Sequence, residues 1–257
     1  MKIRINKDKN IGKVIYVVEG QKKELTLLKH IFTKIFDYTY VTYRYNDVTR
    51  EEYRSDKNKN SIVFAVNTNS SNVISIQKGQ DYLDEVYKKL YEEYLLDSTK
   101  AAVYYIFDRD RRTNSPEIIS DLLSELRNSR DNEKNANGLL LLSYPSIESY
   151  VIECFAPDCC VLKIESAQKA KRFIGEQNYQ QSKINENTFK KATEEMIKTI
   201  ERIECGCFQI EELDDFANKN KSIFKKQESL YESNNYYEIL SLLTISFLDL
   251  GLLSVEE

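Results

Sequence analysis

The stretch AAVYYIFDRDRR, residues 101–112, decides how this chain is read. Every residue from Ala101 to Phe107 is apolar or aromatic, which suits a strand buried on both faces better than an alternating, half-exposed one. The run stops abruptly at Asp108-Arg109-Asp110-Arg111-Arg112. A helix is predicted from about Pro116, with Ser115 as N-cap and proline at the first helical position, where its missing N–H is not needed. The segment is therefore a strand delivered into an acidic turn that opens a helix.

The same grammar recurs on both sides. Upstream, Lys13-Val14-Ile15-Tyr16-Val17-Val18 is a short β-prone run ending at Glu19-Gly20. From Lys22 to Phe36, Leu25, Leu28, Ile31, Phe32 and Ile35 recur at helical spacing and form a stripe able to pack on a sheet. Downstream, Leu139 to Leu142 is another buried run, followed by Ser143-Tyr144-Pro145-Ser146-Ile147-Glu148 opening a further helix. Between these units, Tyr38–Tyr45, Ser61–Asn67 and Asn72–Gln77 suit strands, Asp81–Leu96 a helix, and the polar residues 46–60 a loop. Strands alternating with helices predict an α/β fold whose mostly parallel sheet is flanked by helices. Beyond Pro157 the sequence becomes charged and helical. We therefore expect an α/β domain over 1–157, with an insertion around 46–80, and a mainly helical region over 158–257. Tyr236–Leu253 is the most apolar stretch, and Glu238 and Asp249 within it favour a core or interface helix over a membrane span.

Parallel α/β sheets gather functional groups at the carboxyl ends of their strands. Glu19 stands at one such end, Asp108 and Asp110 at another, and Glu148 follows a third. An Asp-x-Asp pair leaving a strand can direct two carboxylates at one cation, and a carboxylate from a neighbouring strand would complete a hard oxygen site for Mg²⁺ or Mn²⁺. Such a site matches phosphoryl chemistry.

Bulk properties narrow the field. The chain has 257 residues, with 37 basic and 41 acidic side chains and a net charge of −4, so no global positive field attracts nucleic acid, and binding of that kind must come from local patches. The N-terminal MKIRINKDKNIGK lacks an apolar core, which predicts a cytoplasmic protein with no membrane partner. Five cysteines read as reduced thiols, and the spacing of Cys159-Cys160 and Cys205-Gly-Cys207 is a poor match to a zinc site. His30 is the sole histidine, so Ser-His or Cys-His chemistry has little material.

Val17-Val18-Glu19-Gly20 followed by Ile106-Phe107-Asp108-Arg109-Asp110 resembles the Toprim pattern of strand-Glu-Gly and strand-Asp-x-Asp, in the right order, over roughly residues 12–155. Ser143-Tyr144-Pro145-Ser146-Ile147-Glu148 is similar to a Ser-x-Pro-x-x-Glu element of RloB-like Toprim proteins of bacterial defence loci; OLD-family nucleases and the PARIS effector share the fold. The resemblance implies a Rossmann-like Toprim core and a metal-dependent nuclease acting on DNA or on RNA such as tRNA, as an anti-phage, abortive-infection effector. It also implies roles. Glu19 would assist proton transfer or hold metal, Asp108 and Asp110 would hold metal, and Glu148 would be a fourth catalytic acid. Arg109, Arg111, Arg112 and Lys183 would contact substrate. Glu24 has no settled counterpart. The chain has no Walker A motif, so any ATPase would be a separate partner; a homodimer through the C-terminal helical region is a further expectation.

Plainer readings stand beside these. Glu19 can be a carboxylate favoured at a helix N-terminus. Asp108 and Asp110 can be loop acids balanced by Arg109, Arg111 and Arg112. Glu148, close behind Pro145, can be a capping residue. Lysines in 163–198 and 219–226 form either a backbone-binding face or a solvated one. The rival function is a non-catalytic Toprim-like binding or regulatory module associating with an ATPase.

Overall fold

A computed structural model describes residues 1–20, 22–45, 48–67, 79–111, 115–130, 138–208 and 216–256. In chain order, the first half contains β1 (Lys2–Ile5), β2 (Lys13–Val18), α1 (Lys23–His30), β3 (Tyr38–Tyr45), β4 (Val48–Ser55), β5 (Ile62–Asn67), α2 (Gly79–Glu92), β6 (Ala102–Asp108) and α3 (Pro116–Glu125). There follow β7 (Arg127–Asn128), β8 (Gly138–Tyr144), α4 (Glu148–Phe155), β9 (Lys163–Ile164), α5 (Ala167–Glu176), α6 (Glu186–Glu204), α7 (Phe216–Asn234), β10 (Tyr237–Glu238), β11 (Leu240–Ser241), α8 (Leu243–Asp249) and β12 (Leu253–Glu256). The chain is an α/β protein with a mixed sheet, mostly parallel at its centre and flanked by helices. It forms two compact units, one of residues 7–106 and 111–140, the other of 1–6, 107–110 and 141–257.

In the unit of residues 7–106 and 111–140, β2 is the middle strand, paired parallel with β5 on one side and β6 on the other. Val14 to Val18 are all buried, the signature of a strand covered on both faces. Tyr16 stacks on Tyr104 with ring centroids 5.3 Å apart, and Phe32 packs among Tyr16, Phe36, Tyr38 and Tyr53. The stripe predicted over Lys22–Phe36 is helical throughout, but its last turn, Ile31–Ile35, widens to a π-helix. Ser115 caps α3 as predicted, its hydroxyl accepting from the Ile118 N–H at 3.3 Å with Pro116 in the first turn.

Within the stretch expected to be a loop, Val48–Ser55 is a strand. β4 runs antiparallel between β3 and β5. Its charges disguised it: Arg50, Glu52 and Arg54 share one face, and the buried Glu52 carboxylate takes Arg50 at 2.8 Å and Arg54 at 2.7 Å. An alternating strand with an ion-paired face lacks the apolar periodicity that marks most strands. The strand predicted over Asn72–Gln77 lies outside the described residues.

In the other unit, α4 packs on α5 and α6, and α6 packs on α7. Asn185 and Thr188 form a capping box that starts the 19-residue α6. The region is not purely helical. β12 pairs antiparallel with β1, β10 with β9, and β11 with β8. Tyr236–Leu253 is correspondingly not one helix: two short strands precede α8, which has 7 residues. Leu243, Ile245, Phe247 and Leu248 of α8 are buried in the unit's own core. Among the described residues, no helix is long and apolar enough to cross a membrane.

Candidate acidic site

Asp108 is the last residue of β6, and Arg109 and Asp110 form the turn beyond it. Three hydrogen-bonding arrangements fix this turn within the unit that contains residues 107–110 and 141–257. Asp108 Oδ1 accepts from the Ile147 N–H at 2.7 Å. Arg109 N–H donates to the Ser143 carbonyl at 2.8 Å. The Arg109 guanidinium forks onto Glu228 of α7, Nε to Oε1 at 2.8 Å and Nη2 to Oε2 at 2.7 Å. Asp108 and Asp110 are both half-buried.

The start of α4 explains the first contact. Ile147 precedes the helix without a side-chain cap of its own, so its N–H is one of the donors a helix leaves without an intrahelical acceptor. A carboxylate there gains a charge-assisted hydrogen bond and the favourable end of the helix dipole. Glu148 is the first residue of α4 and only 2 % exposed, with its Oε2 accepting from Ser146 Oγ at 2.7 Å. The helix begins later than predicted: Pro145, joined to Tyr144 by a cis peptide bond, lies outside it, so Glu148 is not a third-position cap.

Arg109, expected among the substrate contacts, has its side chain turned inward. Its side chain is fully buried, and its partner is Glu228, 119 residues along the chain, while Phe224 lies 5.5 Å from its guanidinium. Tyr237 Oη also donates to Glu228 Oε1, at 3.1 Å. Beside them Tyr144 is wholly buried; burial pushes its phenol well above the usual tyrosine range, against the opposing pull of Arg109. Glu228 has no local sequence signal, since it stands in a lysine-rich helix and its role follows only from the long-range pairing.

The remaining candidates divide as follows. Lys183 is exposed, in a 3-10 turn at Gln181–Lys183. Arg111 is half-buried and Arg112 lies outside the described residues. Several lysines of the expected basic face are engaged internally: Lys198 with Asp158 and Glu195, Lys226 with Glu204, and Lys191 with the Phe155 carbonyl.

In the unit of residues 7–106 and 111–140, Glu19 follows β2 and is half-buried. Its N–H donates to the Ile106 carbonyl at 3.4 Å, and its carbonyl accepts from Asn67 Nδ2 at 3.4 Å, so its backbone is held from the strands on both sides. Glu24, in the first turn of α1, is buried with its carboxylate against Gly20; a Cβ at position 20 would collide with it. The first atoms that a side chain at position 20 would meet are thus the end of the Glu24 side chain.

Among the described residues, no three His, Cys, Asp or Glu side chains converge as a ready-made cation cage. Magnesium commonly needs only one or two carboxylates, with waters and substrate phosphate supplying the rest. The hard oxygens of Asp108 and Asp110 fit that donor set, whereas Cys159 is buried with its thiol pushed up by desolvation, and Cys205 and Cys207 are exposed. Comparison with protein-family models, with curated proteins and with solved structures found no match to this chain.

Proposed function

We propose that this chain is a metal-dependent Toprim-like nuclease that hydrolyses nucleic-acid phosphodiester bonds as an anti-phage defence effector. The observation that carries the reading is the Asp108-Arg109-Asp110 turn at the carboxyl end of β6. Asp108 is fastened by the Ile147 N–H, and the intervening arginine is turned away into the protein. Two half-buried carboxylates stand two residues apart on one pinned turn, and their chemistry suits Mg²⁺ or Mn²⁺. The Glu19-Gly20 motif at the end of β2 supports the reading through its order and its strand-end position.

In this proposal Asp108 and Asp110 hold the cation and Glu19 holds metal or moves a proton. The bound cation would supply charge neutralisation at the scissile phosphate and a lowered pKa for an attacking water. Glu148, whose carboxylate is oriented by Ser146, keeps a supporting role as an acid beside Asp108's anchor. Lys183 and Arg111 are the proposed phosphate contacts. The substrate is DNA or RNA, with tRNA a first RNA to test, and a separate ATPase partner or a second copy of the chain belongs to the same proposal.

The test incubates purified protein with end-labelled DNA and bulk tRNA in Mg²⁺ or Mn²⁺, beside Glu19→Gln and Asp108→Asn. Cleavage by the wild type, reduced about 100-fold or more in each variant, is the expected result. Equal cleavage by all three proteins would remove the acids from the reaction. Tight nucleic-acid binding that survives both substitutions without cleavage would favour the binding-module alternative.

A further inference from the structure

We infer that Glu228 is a positioning residue of the acidic site, acting through Arg109; this deepens the nuclease reading and rests on it. Arg109 is the middle residue of Asp-x-Asp, so whatever fixes its side chain also fixes the backbone that bears Asp108 and Asp110. That side chain is fully buried, and Glu228 grips it with two hydrogen bonds at 2.8 and 2.7 Å. The bidentate fork defines an orientation as well as a distance, which a single contact does not. Glu228 is itself oriented, accepting from Tyr237 Oη at 3.1 Å, and Tyr237 stacks on Tyr231 with centroids 4.5 Å apart.

A chain of contacts therefore runs from α7 and β10 to the turn. It meets two others there, the Arg109 N–H on Ser143 and the Ile147 N–H on Asp108. Together they hold one carboxylate by its oxygen and the backbone between the two carboxylates by both main chain and side chain. A buried ion pair contributes little net stability compared with a well-packed apolar pair. Its geometric precision is what an apolar pair cannot reproduce, and metal sites depend on such supporting partners for ligand orientation. The C-terminal segment is thereby part of the site's construction, although it carries none of the proposed ligands.

The experiment is a Mn²⁺ titration of the full chain followed by the electron paramagnetic resonance signal of the free ion, well below the melting temperature. It compares wild type with Asp108→Asn, Glu228→Gln, Tyr237→Phe and Ser115→Ala. Glu228→Gln keeps size while breaking the charged fork, and is expected to weaken Mn²⁺ binding about 10- to 100-fold. Tyr237→Phe, which removes one hydrogen bond to Glu228, is expected to weaken it about fivefold and serves if Glu228→Gln does not fold. Ser115→Ala loosens the N-cap of α3, whose hydrogen bond is to the Ile118 N–H and not to the Asp108–Asp110 turn, and should leave affinity unchanged, separating positioning from general destabilisation. If wild type binds Mn²⁺ and Asp108→Asn does not, while a folded Glu228→Gln and Tyr237→Phe both match wild type, the positioning role is overturned and the metal site stands. If wild type binds no Mn²⁺, the metal site falls and this inference falls with it.

Discussion

Glu153 and Ser241 are joined by a hydrogen bond from the Ser241 N–H to Glu153 Oε1 at 2.7 Å, and the other carboxylate oxygen, Oε2, is buried with no hydrogen-bond partner among the described residues. Burial raises the Glu153 pKa well above the usual carboxylate range, against the Ser241 N–H, which lowers it; nearby Glu195 raises it further. The folded protein thus holds a proton that the unfolded chain releases near pH 4. Its stabilising contribution is complete below the unfolded pKa and is lost as pH rises toward the folded one, with a slope approaching ~1.4 kcal/mol per pH unit. Glu153→Gln should remove that slope. Urea denaturation of both proteins at several values above pH 5 should show the variant gaining on wild type as pH increases, and parallel curves would contradict a protonated Glu153.

The Arg109–Glu228 pair makes a separate prediction about stability. Arg109→Met leaves a buried glutamate without its charged partner and should cost about 3–5 kcal/mol. Arg109→Met with Glu228→Met removes both charges and should recover most of that loss. Chemical denaturation of the single and double variants measures the difference. An additive double variant would mean that the two side chains are energetically independent.

Gly20→Ala should destabilise the protein by about 1 kcal/mol or less, the cost of displacing the end of the Glu24 side chain that the added methyl meets. Combined with Glu24→Ala, the same substitution should cost less than about 0.5 kcal/mol more than Glu24→Ala alone. The double-mutant cycle on denaturation midpoints checks this coupling.

Ser115→Ala should cost about 1 kcal/mol, the usual value of a side-chain N-cap, without altering nucleic-acid cleavage. Thermal denaturation beside the cleavage assay gives both readings.

These residues also mark how far the sequence could be read. The buried strands β2, β6 and β8 were legible because unbroken apolar runs signal coverage on both faces, and α3 was legible from Ser115-Pro116, where cap chemistry is local. Asp108 and Glu19 could be placed at strand ends for the same reason. β4 was not legible, because the pairing of Arg50 and Arg54 with buried Glu52 replaces apolar periodicity by charge compensation. Nor was Glu228. A residue whose partner lies 119 positions away leaves no periodic trace, and the abundance of lysine in α7 drew attention to solvent. Residues 236–253 were apolar enough for a helix, yet Tyr237 and Leu240 belong to short strands because β9 and β8 offer ladders that propensity does not register.

The pairing of β1 with β12 also bears on the order of events when the chain is made. Lys2–Ile5 leaves the ribosome first among the described strands and its partner Leu253–Glu256 last. Residues 7–106 and 111–140, which hold β2 to β5 together with most of β6, are all made before Glu228 and β12 of the unit bearing Asp108 and Asp110. Vectorial synthesis therefore delivers Glu228 to the Asp108 turn only after every residue of the unit that holds the Glu19 strand has been made.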